Sequence, residues 1–211
     1  MNSVYVKVIA FTKKYPVTRG MAAYATIWPI SSLTQQAIAG KDLDYYQALR
    51  FSLFGACFVA PTLHTWLRVA TAMWPDMTVK AAITKALVEQ ISYGPAACIC
   101  FFFGMSLLER KTVEEAALEV KTKFVPTYKF GIMIWPVLQT INFALIPERN
   151  RVPFVSLCSF MWTSFLAYMK QLEAKTLLEK DPNPVNIIPL QTLVRLKTSQ
   201  PASSSPVPFS I

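Results

Sequence analysis

Five polar side chains stand inside long apolar runs: Gln35, His64, Glu89, Gln139 and Asn142. In such surroundings amides, an imidazole and a carboxylate have two uses. They bond to one another across packed helices, or they line a polar path for ions and solutes. Glu89 is the sharpest of them, because a carboxylate at a constriction attracts cations. Its plainer use is an ion pair with Arg68 or Lys85. Catalysis has no comparable signal. The chain has 1 histidine and no nucleophile–base pair at motif spacing, so no enzymatic activity is expected. It has no zinc-ligand spacing, no Gly-rich phosphate loop and no basic helix interleaved with aromatics. No metal, no cofactor and no nucleic-acid partner is therefore expected.

The elements that must position these groups are helices. Residues 135–151 read Trp-Pro-Val-Leu-Gln-Thr-Ile-Asn-Phe-Ala-Leu-Ile-Pro-Glu-Arg-Asn-Arg. Trp135, Gln139 and Asn142 stand at i, i+4 and i+7 and share one helix face. On the second run, Arg50, Phe54, Cys57, Pro61, His64 and Arg68 follow the same steps, as do Lys85, Glu89 and Ser92 on the third. A charge at mid-bilayer costs about 2.5–3.5 kcal/mol on insertion scales, so such faces turn inward, pair or snorkel.

The 211 residues are 53% hydrophobic and 16% charged, with a mean hydropathy of +0.35. Soluble domains average about 25% charged. The apolar runs are about 18–39, 49–74, 82–108, 130–146 and 153–170, against the roughly 20 residues that a spanning helix needs. The last two are short and lie on either side of Pro147–Val152, which suggests a tight hairpin of two short helices, or one span plus an interfacial helix. Pro29, Pro61, Pro95 and Pro136 fall inside runs, where neighbouring helices can satisfy the carbonyls they free. The expected fold is an all-α polytopic membrane bundle of about four proline-kinked spans plus short amphipathic helices. One of these amphipathic helices is Glu109–Lys129, lying on the membrane surface.

The net charge is +9, carried between the runs and near both ends, as membrane flanks are. Residues 1–41 contain Lys7, Lys13, Lys14, Arg19 and Lys41 but no acid, the style of mitochondrial import. The 4 cysteines, Cys57, Cys98, Cys100 and Cys158, lie in apolar runs and read as small buried hydrophobes, with a redox pair between helices as the alternative. Residues 1–171 are expected to form the membrane domain, and the Pro/Ser-rich tail 172–211 to be disordered.

Several motifs together resemble the Mpv-seventeen / twenty-two-kilodalton peroxisomal membrane protein family, and within it the Mpv-seventeen-like branch. The family's Trp-Pro-x-x-Gln-x-x-Asn-Phe-x-x-x-Pro-x-x-x-Arg is matched by Trp135, Pro136, Gln139, Asn142, Phe143, Pro147 and Arg151. Pro61-Thr-Leu-His64-Thr-Trp66 is similar to its Gly-Pro-x-x-His-x-Trp, with Ala60 in place of glycine. Glu89-Gln90 stands where the family has Asp-Gln. The Gly-Asp of its first span is missing here, though Gln35 is kept. The resemblance implies a multi-pass protein of the mitochondrial inner membrane or the peroxisomal membrane. It further implies a weakly selective channel for small solutes, or a regulator of membrane potential and reactive oxygen species. A non-conducting structural or regulatory membrane protein is the alternative. The partners expected are the lipid bilayer, small solutes or ions, and further copies of the chain.

Overall fold

Every ordered element of the computed structural model is helical among the residues it describes, 15–40 and 42–180, with side chains to residue 165. The basic segment before Tyr15 and residues 181–211 of the tail lie outside them. The helices are α1 (Val17–Ile38), α2 (Tyr45–Phe54), a π-helical turn (Gly55–Val59), α3 (Ala60–Met73), α4 (Val79–Ile91), α5 (Tyr93–Leu108), α6 (Val113–Leu145) and α7 (Glu148–Lys180). One compact unit extends to Ala167.

Local chemistry sets most boundaries. Asp44 caps α2 by accepting from the Gln47 N–H at 2.9 Å, and Thr78 caps α4 by accepting from Ala81. Thr112 and Glu115 form a reciprocal capping box at the start of α6. Helix α1 ends at Gly40, whose φ of 65° is the left-handed conformation that closes a helix without a Cβ clash. Pro147, which has no N–H and cannot continue a helix, follows the end of α6.

Two expectations need correction. Glu109–Lys129 is not a separate surface helix. From Val113 it is continuous with the fourth apolar run in one 33-residue helix that holds Pro126 and Pro136, about 50 Å long. The third run, in contrast, is broken at Ser92 into α4 and α5, bent by 41°. Among the described residues no single helix is both long and apolar enough to cross a membrane; only the bent α4–α5 pair reaches that length and composition. Helices α2 to α5 are too short, at 10, 14, 13 and 16 residues. The longer α1, α6 and α7 carry charges or amides along their length, which lowers their mean hydropathy.

Many of the polar side chains within the apolar runs point inward. Ser31, Ser32, Gln36, Lys85, Glu89, Ser106, Gln139, Asn142 and Arg151 are buried, while Leu53, Met73, Leu87, Met133, Val137, Leu145 and Met161 are exposed. A soluble protein rarely presents so much large apolar surface. The core of Tyr24, Leu63, Leu67, Phe143, Val152 and Val155 gathers α1, α3, α6 and α7. Helix α1 meets α7 through the Ser31–Thr163 hydroxyl pair at 2.6 Å and at Gly20, where an added Cβ would stand 2.5 Å from Val152 Cγ1.

At one end of the bundle a polar clasp joins α5 to α6. Ser106 donates to Glu119, and Lys111 and Lys123 pair with the same carboxylate at 3.1 and 2.6 Å. Burial is the largest single influence on Glu119 and opposes ionisation. The bonds from Lys123, Ser106 and Lys111 outweigh it and hold the carboxyl at about 2, against an ordinary 4.5.

Two outcomes are expected. Gly20→Ala should destabilise the detergent-solubilised protein by about 1–3 kcal/mol through overpacking, despite the roughly 1 kcal/mol of helix propensity it gains. Val152→Ala should restore part of that loss in thermal unfolding; a neutral Gly20→Ala would mean that α1 and α7 do not pack this closely. The Glu119 clasp should contribute fully above the ordinary 4.5 and fade as pH falls toward about 2. The stability gap between wild type and Glu119→Gln, followed by circular dichroism, should therefore narrow with acid over that window. A constant gap would contradict the clasp.

Candidate functional site: a buried carboxyl–amide network

Helices α4 and α6 pack side by side and bring Glu89, Gln139 and Asn142 together. Gln139 Nε2 donates to Glu89 Oε1, and Gln139 Oε1 accepts from Asn142 Nδ2 at 2.8 Å. A carboxylate can only accept, which fixes the direction of the whole relay. The three residues are 7%, 3% and 0% exposed. Gln139 and Asn142 are three residues apart, so both reach the same side of α6. The network is not fully paired: Glu89 Oε2 and Asn142 Oδ1 are buried without partners. The Trp66 indole N–H, from α3, lies beside the Glu89 carboxyl but short of regular hydrogen-bond geometry, so it too has no partner.

The other two candidate residues lie elsewhere. Half-buried His64 is on α3 with Arg68 as its charged neighbour. Gln35, near the end of α1, donates to Ser31 at 3.2 Å. Its neighbour Gln36 is the buried one, donating to Ser32 Oγ and the Asp44 carbonyl at 3.2 and 3.3 Å. The Glu89 ion pair with Arg68 or Lys85 does not form; among the described residues neither base is salt-bridged to Glu89. Gln139 reaches the carboxylate instead. All four cysteines are free, and Cys57 is exposed, so only Cys158 fits the buried reading.

Two apolar grooves cut the surface near the network. One, of about 440 Å³, is lined by Pro61, Thr62, Thr65, Trp66, Val69 and Tyr93. Its floor is the stacked Trp66–Tyr93 pair, with centroids 5.9 Å apart and rings 11° from parallel, and the Tyr93 hydroxyl meets Thr62 at 3.1 Å. The other, of about 330 Å³, runs over Ile83, Leu87, Pro136, Val137, Thr140 and Ile141. Glu89, Gln139 and Asn142 line neither.

Of the remaining motif residues, Trp135 packs against the core and Pro136 lines the second groove, while Phe143, Pro147 and Arg151 form a second cluster at the α6–α7 turn. Arg151 Nε and Nη2 donate to the carbonyls of Ile146 and Phe143 at 3.2 and 3.3 Å, and Nη1 donates to Thr71 Oγ1 at 2.9 Å. These carbonyls lie where α6 ends and have no helical donors of their own. The guanidinium rests 5.3 Å from the Phe143 ring centroid, and Lys85 Nζ lies 5.5 Å from the same centroid. Thr71 carried no signal in the sequence, and Lys85 carried only its shared face with Glu89; the packing of α3, α4 and α6 brings both to this cluster.

The sequence that builds this site is similar to a known family of proteins. The model of the Mpv17 / PMP22 family matches residues 106–167. An "Mpv17-like protein" of Xenopus laevis is 33% identical over 77% of this chain and 80% of its own length. One of Bos taurus is 32% identical over 75% and 80%. The "Mitochondrial inner membrane protein Mpv17" of Caenorhabditis elegans is 24% identical over 66% and 77%. No solved structure matches at a significant level. The buried amides, the α6–α7 turn and this similarity over most of the chain place it in the Mpv17 / PMP22 family, as a membrane protein of mitochondria.

Proposed function

We propose that the chain crosses the mitochondrial inner membrane as about four kinked spans and acts there, without enzymatic activity, as a weakly selective channel for small solutes. By conducting, it would affect membrane potential and the balance of reactive oxygen species. One observation carries this reading. Glu89 Oε2 and Asn142 Oδ1 are buried in one network without a hydrogen-bond partner, and the Trp66 indole N–H beside the carboxyl falls short of regular bonding geometry. Helix glue alone would pair such groups, since each unmet one costs about 1–3 kcal/mol. Groups held ready for water or a polar solute are left free. Glu89 would give the path a preference for cations.

A second reading, a non-conducting structural or regulatory membrane protein, is favoured by the occlusion of the network. In that case the amides act only as interhelical glue, worth about 0.6 kcal/mol each on average. Purified protein in planar bilayers separates the two. The channel reading expects cation-preferring conductance, with the preference weakened in Glu89→Gln and reversed in Glu89→Lys. A silent bilayer containing folded protein would leave the second reading standing.

A further inference from the structure

Lys85 and Arg151 are both buried, at 3% and 4% exposure, and both lie against the Phe143 ring. Buried charges need compensation, because desolvation costs several kcal/mol per ion. Arg151 is partly compensated by the two carbonyls and Thr71, which use three of its five donors. Lys85 is not. Its ammonium makes one long bond, to the Asp76 carbonyl at 3.4 Å, and it repels Arg151 across the cluster. The nearest carboxylate to Arg151 is Glu148 at 3.9 Å, 67% exposed, where screening leaves an ion pair little strength. Glu148 also acts on Lys85, as does Asp76 from the exposed α3–α4 connection, and both carboxylates are exposed, where screening weakens them. Two like charges thus share one apolar ring and together have four spare N–H donors.

The location adds to this. Thr71, Asp76 and the Ile146–Pro147 turn mark one end of the bundle, where α3 hands over to α4 and α6 to α7. Exposed Lys80 and Arg149 occupy the first turns of α4 and α7 at the same end. In a bilayer, bundle ends lie at the depth of lipid headgroups.

We infer that Lys85 and Arg151, held on either helix beside Phe143, form a binding site for a phosphate group, either the headgroup phosphate of an anionic phospholipid or free phosphate. Arg151 supplies the planar fork that suits phosphate geometry, and Lys85 the point charge. The bound anion takes up their four unused donors. This site stands apart from the Glu89 network and does not depend on whether the protein conducts.

Thermal unfolding of the purified full-length protein tests the site, in neutral detergent at constant ionic strength set with chloride. Inorganic phosphate and mixed micelles containing phosphatidylglycerol are added separately. Wild type should gain Tm with at least one of them. A gain from phosphatidylglycerol alone assigns a lipid headgroup, and a gain from inorganic phosphate assigns the free anion. Lys85→Met should lose that gain, while its Tm without added anion stays equal to or rises above wild type, because an uncompensated buried charge has gone. Lys85→Arg should keep it. No gain in wild type, or an undiminished gain in Lys85→Met, would overturn the proposal.

Discussion

A buried polar group left unpaired costs about 1–3 kcal/mol, so the polar side chains set among apolar helix faces draw toward one another inside the bundle. The Glu89–Gln139–Asn142 relay is where that constraint acts most directly. Gln139 is its centre, donating to the carboxylate on α4 and accepting from its own helix neighbour. Because a glutamine side chain is short, the two helices must lie close and in one register. Small residues make the approach feasible: Ala82 and Ala86 are buried on the same stretch of α4. With the amides drawn inward, the opposite faces are left to Leu87, Met133 and Val137, which are exposed and suit lipid.

The same logic explains the spacing within the Asn-Phe-x-x-x-Pro-x-x-x-Arg stretch. Pro147 halts α6, and a halted helix leaves its last carbonyls bare. Arg151, one turn into α7, reaches back to two of them and across to Thr71. A guanidinium can serve three acceptors in different directions from one plane, which an ammonium cannot match. Phe143 gives it an apolar and electron-rich surface to lie on. Proline, phenylalanine and arginine thus serve as one hairpin fitting that sets the position of α7 against α3 and α6.

Irregular backbone flanks the helices that carry Trp66 and Glu89. The π turn Gly55–Val59 joins α2 to α3 immediately before Pro61, and such turns are common beside functional groups. The break at Ser92 lies three residues beyond Glu89 and reorients α5. Between these features stand Trp66 and Tyr93, stacked on each other. Two regular helices would present a different pair of side chains here.

The all-helical class, the inward face shared by Gln139 and Asn142, the stop at Pro147 and the polar character of Glu89 were all readable along the chain. Each depends on helical periodicity or on proline's missing N–H, which are local properties. What partnered Glu89 was not readable. The plainer expectation was an ion pair with Arg68 or with Lys85, yet Gln139, fifty positions away, takes that place. His64 and Gln35 shared the right composition but face other neighbours, and Gln36 rather than Gln35 is buried because Asp44 folds back onto it. The fusion of 113–145 into one helix also escaped the reading by hydropathy, since charge marks a change of solvent and not a change of backbone. Periodicity tells which face a residue occupies, but only the packing of separate helices decides what that face meets.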